Sequence, residues 1–283
     1  MRPTPPRRVL RTGLVALLSF ALAGAMLVAP SLPGVPGDEP APAAAADLSK
    51  FDPSNIISDA VFFNGNTMTQ AQIQNFLASK AGNCSGVTCI KDYRQTTKNR
   101  AADNYCKAYT GASNELASAI IYKVAQACGV NPRVLITTLQ KEQALITTGA
   151  AASSSRWKIA MGYACPDTAP CDSLYYGFSN QLYSAARQFK VYAYSGYFNW
   201  FPVGSPSSVQ YHPNASCGSS RLTIKNRATA ALYYYTPYQP NAASLAAGYG
   251  ASSNACAAYG NRNFYNYFTD WFGSTGGGGS AGG

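Results

Sequence analysis

Apolar positions recur at helical spacing over much of the chain. Leu116, Ala119, Ile120, Val124 and Ala127 share one face, with Ser113 as the expected cap and Gly129 as the stop. Asn131-Pro132 reads as the start of the next helix, because Asn supplies a capping oxygen and the first helical position needs no N–H. Thr69-Gln70-Ala71-Gln72 reads as a capping box opening a helix to Lys80, with Gly82 behind it. Helices are also predicted over 179–194, with Leu182, Ala186, Phe189 and Ala193 inward, over 228–235, and over 262–272, which carries Phe264, Tyr267, Phe268 and Trp271. Strand signals are sparse. Val61-Phe62-Phe63 before the Asn64-Gly65 turn is the candidate. Residues 84–110 and 149–155 read as loops, and the Gly-rich residues 273–283 as a linker or disordered tail. The expected fold class is mainly α.

The first residues follow a different logic. Arg2, Arg7, Arg8 and Arg11 precede an apolar run over 14–29, the length of a signal h-region and shorter than the ~20 residues a membrane span needs. A Pro/Gly/Ala stretch leads to Ala46, where cleavage is expected. An earlier cut or a retained anchor is the alternative. Residues 1–46 are therefore read as a leader, and the rest as a secreted chain, extracellular or wall-associated, without stable membrane insertion. Without four Arg, Asp38 and Glu39, that chain keeps 18 basic and 10 acidic residues. Such a surface suits an anionic polymer. The cations are scattered with no basic run, which argues against nucleic acid.

All eight cysteines follow the leader, as expected for disulfides in an exported chain. Short loops favour 84–89 and 165–171, leaving 106–128 and 217–256, although the count alone permits other connectivities. Zinc is disfavoured by a single histidine, His212, and by the lack of paired Cys-x-x-Cys knuckles. No metal or cofactor is expected.

Glu142 is the main chemical candidate. It is the only acid between Glu115 and Asp167, and at helical spacing it joins Leu135, Thr138, Leu139, Leu145 and Ile146 on the apolar face. A lone carboxyl against hydrocarbon holds its proton more tightly and can give it to a leaving oxygen. Glu115, near the expected helix start, is the rival, and a favourable position in the helix dipole accounts for it. Asp167 and Asp172 are candidates for a second carboxyl, with turn-forming roles as the simpler account.

The order helix, Gly129-Val130-Asn131-Pro132 turn, helix with Glu142 resembles the catalytic opening of lytic transglycosylases and other lysozyme-like enzymes. The stretch Ala160-Met161-Gly162-Tyr163, followed by Pro166-Asp167-Thr168-Ala169, resembles that family's Gly-Leu-Met-Gln and Pro-x-Thr-Ala motifs, with Tyr163 at the Gln position. The run Ala231-Leu232-Tyr233-Tyr234-Tyr235 echoes its Ala-Tyr-Asn-Ala-Gly motif, and Gln143 stands where it usually has Ser. The likeness covers residues 113–240. It implies a lysozyme-like helical domain over 113–272, with disulfide-bound loops and a small N-terminal extension over 47–112. It also implies a monomer that cleaves peptidoglycan or another wall polysaccharide with Glu142 as sole acid and base. Gln143, Met161, Tyr163, Gln181, Tyr234, Tyr235 and Tyr238 would then contact the sugar, with Tyr175, Tyr176, Tyr233 and Asn241 nearby. Trp157, Trp200 and Trp271 are assigned to packing. The whole secreted chain, including 234–241 and 268–273, also resembles secreted actinobacterial hemagglutinin-like proteins. That likeness implies the alternative, a wall-binding or adhesin-like module without turnover.

Overall fold

The computed structural model describes residues 46–148, 152–166 and 169–276, all within one compact unit spanning residues 41–283. Residues 1–45, within the expected leader, and residues 277–283 lie outside the described residues. So do residues 149–151, Asp167 and Thr168, and with them half of the Pro-x-Thr-Ala stretch.

The centre of the fold is α3 (Ala117–Cys128), which packs on α2 (Gln70–Lys80), α4 (Pro132–Gln143) and α6 (Phe178–Tyr194). It is buried around most of its circumference by Ile120, Ile121, Val124 and small residues such as Ala117 and Ala125, as a helix surrounded by others must be. Gly129 ends it in the left-handed conformation (φ 60°), which costs glycine nothing. Helix α7 (Arg227–Tyr235) lies along α6, and α9 (Gly260–Phe272) along α4. A single hydrophobic core runs from Phe51, Ile56 and Ile57 through α3 and α4 to Phe264 and Phe268, so residues from 47–112 share it with the helices that follow.

Helix starts at Thr69 and Asn131 form as their sequences predict. Thr69 and Gln72 make the reciprocal capping box. The Asn131 side chain accepts from Arg133 N at 2.9 Å and from the Thr67 hydroxyl, while its amide donates to Val61 O at 2.7 Å. The four disulfides are Cys84–Cys89, Cys106–Cys128, Cys165–Cys171 and Cys217–Cys256, which include the two short loops favoured from sequence.

Other elements depart from expectation. Val61 and Phe62 are helical, in α1 (Asp59–Phe62), because the Ser58 hydroxyl caps the turn at Val61 N and Phe62 turns inward onto Phe189. The segment around Ser113 does not cap α3. Glu115–Leu116 forms β2, paired antiparallel with β1 (Arg94–Gln95), and the helix begins at Ala117. Part of the expected 149–155 loop is α5 (Ser154–Lys158), anchored where Trp157 stacks on Tyr93 with ring centroids 3.8 Å apart. Helix α6 opens one residue early, at Phe178, and Gln95 Oε1 accepts from Ser179 N at 3.0 Å. A hairpin of β3 (Pro206–Gln210) and β4 (Ser219–Thr223) and the short α8 (Ala242–Ala246) had no clear signal. Trp157 and Trp271 pack as expected, but Trp200 is 54% exposed. Among the described residues no helix is long and apolar enough to cross a membrane.

Candidate functional site

Helix α4 carries Glu142 in its last turn. It does not run on to Ile146 as the apolar pattern implied. Ala144 takes a left-handed conformation (φ 52°) and ends it. Gln140 holds the turn beyond, its Oε1 accepting from Ile146 N and Thr147 N, both at 3.1 Å. Leu145 and Ile146 are buried from this turn rather than from the helix face.

Glu142 is also not alone. Its side chain is 24% exposed, and Oε1 lies 2.6 Å from the ammonium of Lys141, whose side chain is 5% exposed. Lys141 in turn donates to the Thr236 hydroxyl at 2.8 Å and sits over the Tyr235 ring. The expected isolated carboxyl is thus a buried-edge ion pair tying the end of α4 to the end of α7. The other oxygen, Oε2, faces Gly162. A Cβ on that residue would come within 2.8 Å of Oε2, and its φ of 66° already favours glycine.

The turn at 160–163 is fixed by Gln181 of α6. Its Oε1 accepts from Met161 N (3.2 Å) and Tyr163 N (3.0 Å), and its amide donates to Tyr163 O and Tyr175 O, both at 2.9 Å. Tyr235 donates to Met161 O at 2.5 Å. Burial, and then the charge of Glu142, hold the Tyr235 hydroxyl well above the usual phenol range, so it remains a donor. Gln181 and Met161 are fully buried. Both position the turn that faces Glu142.

The remaining candidates separate. Tyr163 is half-buried, edge-on to Tyr175 with centroids 4.9 Å apart, and borders a cavity. Tyr234 belongs to an aromatic cluster with Tyr192, Phe198, Trp200 and Phe201, and its hydroxyl accepts from Phe201 N. Tyr238 is half-buried beside β3, where it bridges Gln210. Gln143 is half-buried at the end of α4. Asn241 caps α8, Asp172 caps a short turn at Leu174 N, and His212 accepts from Asn214 N in an exposed loop. Asp167 lies outside the described residues.

Glu115 is buried at 9% exposure, but not through the helix dipole. It lies in β2 and receives hydrogen bonds from Thr97, Tyr109 and Lys123. Burial draws its pKa upward, but the bonds from Lys123, Thr97 and Tyr109 outweigh that and hold it below the usual carboxylate value. This network serves the fold beneath a groove that sequence reasoning did not find. One cavity of about 530 Å³ is lined by residues 95–100, Tyr109, Tyr175, Tyr176, Asn180 and Tyr183, among others. A second, of about 410 Å³, shares Asn99, Arg100, Tyr175 and Tyr183 with it and reaches Tyr163. Tyr163 follows Gly162 in the chain, but neither Gly162 nor Glu142 lines either cavity.

A family model described as LasA, N-terminal domain, matches residues 55–277. The chain belongs to that family. LasA is a secreted staphylolytic peptidase family, and the match is to its N-terminal domain. The four disulfides fit the extracellular setting. No curated protein and no solved structure matches the chain. The comparisons lend no support to the lysozyme-like or the hemagglutinin-like resemblance read from sequence.

Proposed function

We propose that this LasA-like domain cleaves the glycan strand of peptidoglycan, with Glu142 as the single acid and base. The observation that carries this reading is the approach of Glu142 Oε2 to Gly162. The carboxyl occupies a space that only a glycine turn leaves open, and Tyr163, next in the chain to Gly162, borders a cavity lined by tyrosines and amides. Glycoside cleavage needs a proton delivered to the bridging oxygen and a nucleophile at the anomeric carbon. In the proposed reaction the protonated form of Glu142 gives its proton to the leaving oxygen as the C–O bond breaks, and Glu142 becomes the carboxylate that pairs with Lys141. The C6 hydroxyl of the same sugar then attacks the anomeric carbon and returns its proton to Glu142, leaving a 1,6-anhydro end. Lys141 would hold Oε1 in place and leave Oε2 for the substrate.

A second reading, wall binding without turnover, draws on that same ion pair. Lys141 satisfies the carboxylate as a structural partner, with no chemistry required. Comparing wild type with Glu142→Gln on purified cell wall separates the two. The enzyme reading expects soluble muropeptides from the wild type only, with equal wall binding by both. Binding without release by the wild type would favour the second reading.

A further inference from the structure

The groove contains a cation that the fold does not neutralise. Arg100 lines both cavities. Its backbone is fixed by paired hydrogen bonds with Tyr109, at 2.8 and 2.9 Å. Its guanidinium donates to the neutral Asn180 Oδ1 at 2.7 Å and lies over the Tyr183 ring, 5.0 Å from the centroid. Among the described residues it has no carboxylate partner. Arg187, which also borders the second cavity, is paired with Asp103. A guanidinium clamped from one side by an amide and an aromatic face keeps other donors of its planar fork free, an arrangement suited to a carboxylate. The charge is half-buried, where screening is weaker than on an open surface.

We propose that Arg100 binds a carboxylate of the peptide stem carried by the wall glycan, with Asn99 and Asn180 beside it for the peptide amides. This inference rests on the wall-glycan reading of the Glu142 site. The groove would seat the stem while the sugar to which it is attached lies toward Tyr163 and Gly162. The domain would then prefer glycan whose stems are intact.

The test is equilibrium binding, independent of turnover, by wild type, Arg100→Met and Arg100→Lys. The three probes are soluble stem-bearing glycan, the same glycan stripped of stems by an amidase, and N-acetylglucosamine oligomers. The stripped glycan still carries the lactyl carboxylate, and the oligomers carry none. Arg100→Met is expected to lose roughly tenfold or more in affinity for stem-bearing glycan, with unchanged affinity for the oligomers. Arg100→Lys should retain part of the preference, because it keeps the charge and loses the fork. Equal affinity of wild type and Arg100→Met for stem-bearing glycan would overturn the proposal. So would an equal loss on all three probes, or a loss confined to stripped glycan, which would assign the lactyl group instead. Thermal melts of both variants establish that they are folded. Because binding alone is read, an inactive wild type would sink the Glu142 mechanism without deciding the Arg100 result.

Discussion

At the scale of single residues, two contacts carry consequences that can be measured. Gly162 combines a positive φ with contact to Glu142 Oε2. Gly162→Ala should cost about 1–3 kcal/mol in urea unfolding, from backbone strain and crowding, and should displace the carboxyl enough to abolish wall digestion. Glu115 concerns stability rather than catalysis. Its folded pKa lies below the ordinary glutamate value, so the stabilisation is complete above that ordinary range and is lost as pH falls through the folded value. Glu115→Gln should therefore be destabilised at neutral pH by about 1–3 kcal/mol. The gap between wild type and variant should narrow in acid, as measured by denaturant unfolding at a series of pH values. The sequence singled out Glu142 but not its partner. Neighbouring residues on a helix point about 100° apart and do not normally meet, so a Lys141–Glu142 pair is invisible to a periodicity argument. It arises because both long side chains reach past the helix end toward Thr236 and Gly162. Gly162 carried a signal, a glycine in a short turn between buried segments, but only the fold shows what it faces.

At the scale of elements, the places where sequence and structure agree are those with a local chemical cause. The Asn131-Pro132 start, the Thr69 capping box and the Gly129 stop each depend on residues within one turn. The places where they differ depend on distant partners. Residues 115–116 extend because 94–95 pair with them, and α5 forms where Tyr93 offers a ring to Trp157. The hairpin of β3 and β4 is Ser-rich, with only Ser207 and Val209 buried along β3, too weak an alternation to read. Asn131 joins the two kinds of cause, since it caps α4 locally and bridges to Val61 and Thr67 from a position 1% exposed. Asn131→Ala should lose the cap, worth about 1 kcal/mol, and strand the Val61 carbonyl. A total loss of about 2–4 kcal/mol in chemical denaturation is expected, more than an exposed cap would show.

At the scale of the whole molecule, the disulfides were legible in part: the short loops 84–89 and 165–171 carried a signal, while the remaining four cysteines allowed three pairings, of which the fold forms Cys106–Cys128 and Cys217–Cys256. The helix-rich class followed from periodicity. The groove was not legible. Its lining comes from the strand-and-loop segment 95–100, from the turn at 175–176 and from α6, brought together by long-range pairing. We propose that Glu142 cuts the sugar backbone of the wall, and the Gly162-facing carboxyl supports that reading; membership of the LasA N-terminal domains does not say which bond is cut. The most direct measurement is mass spectrometry of the soluble products of purified peptidoglycan treated with wild type or Glu142→Gln. The account predicts fragments ending in 1,6-anhydro sugars from the wild type and none from the variant. Products carrying new peptide amino groups on intact glycan, or equal release by the variant, would contradict it.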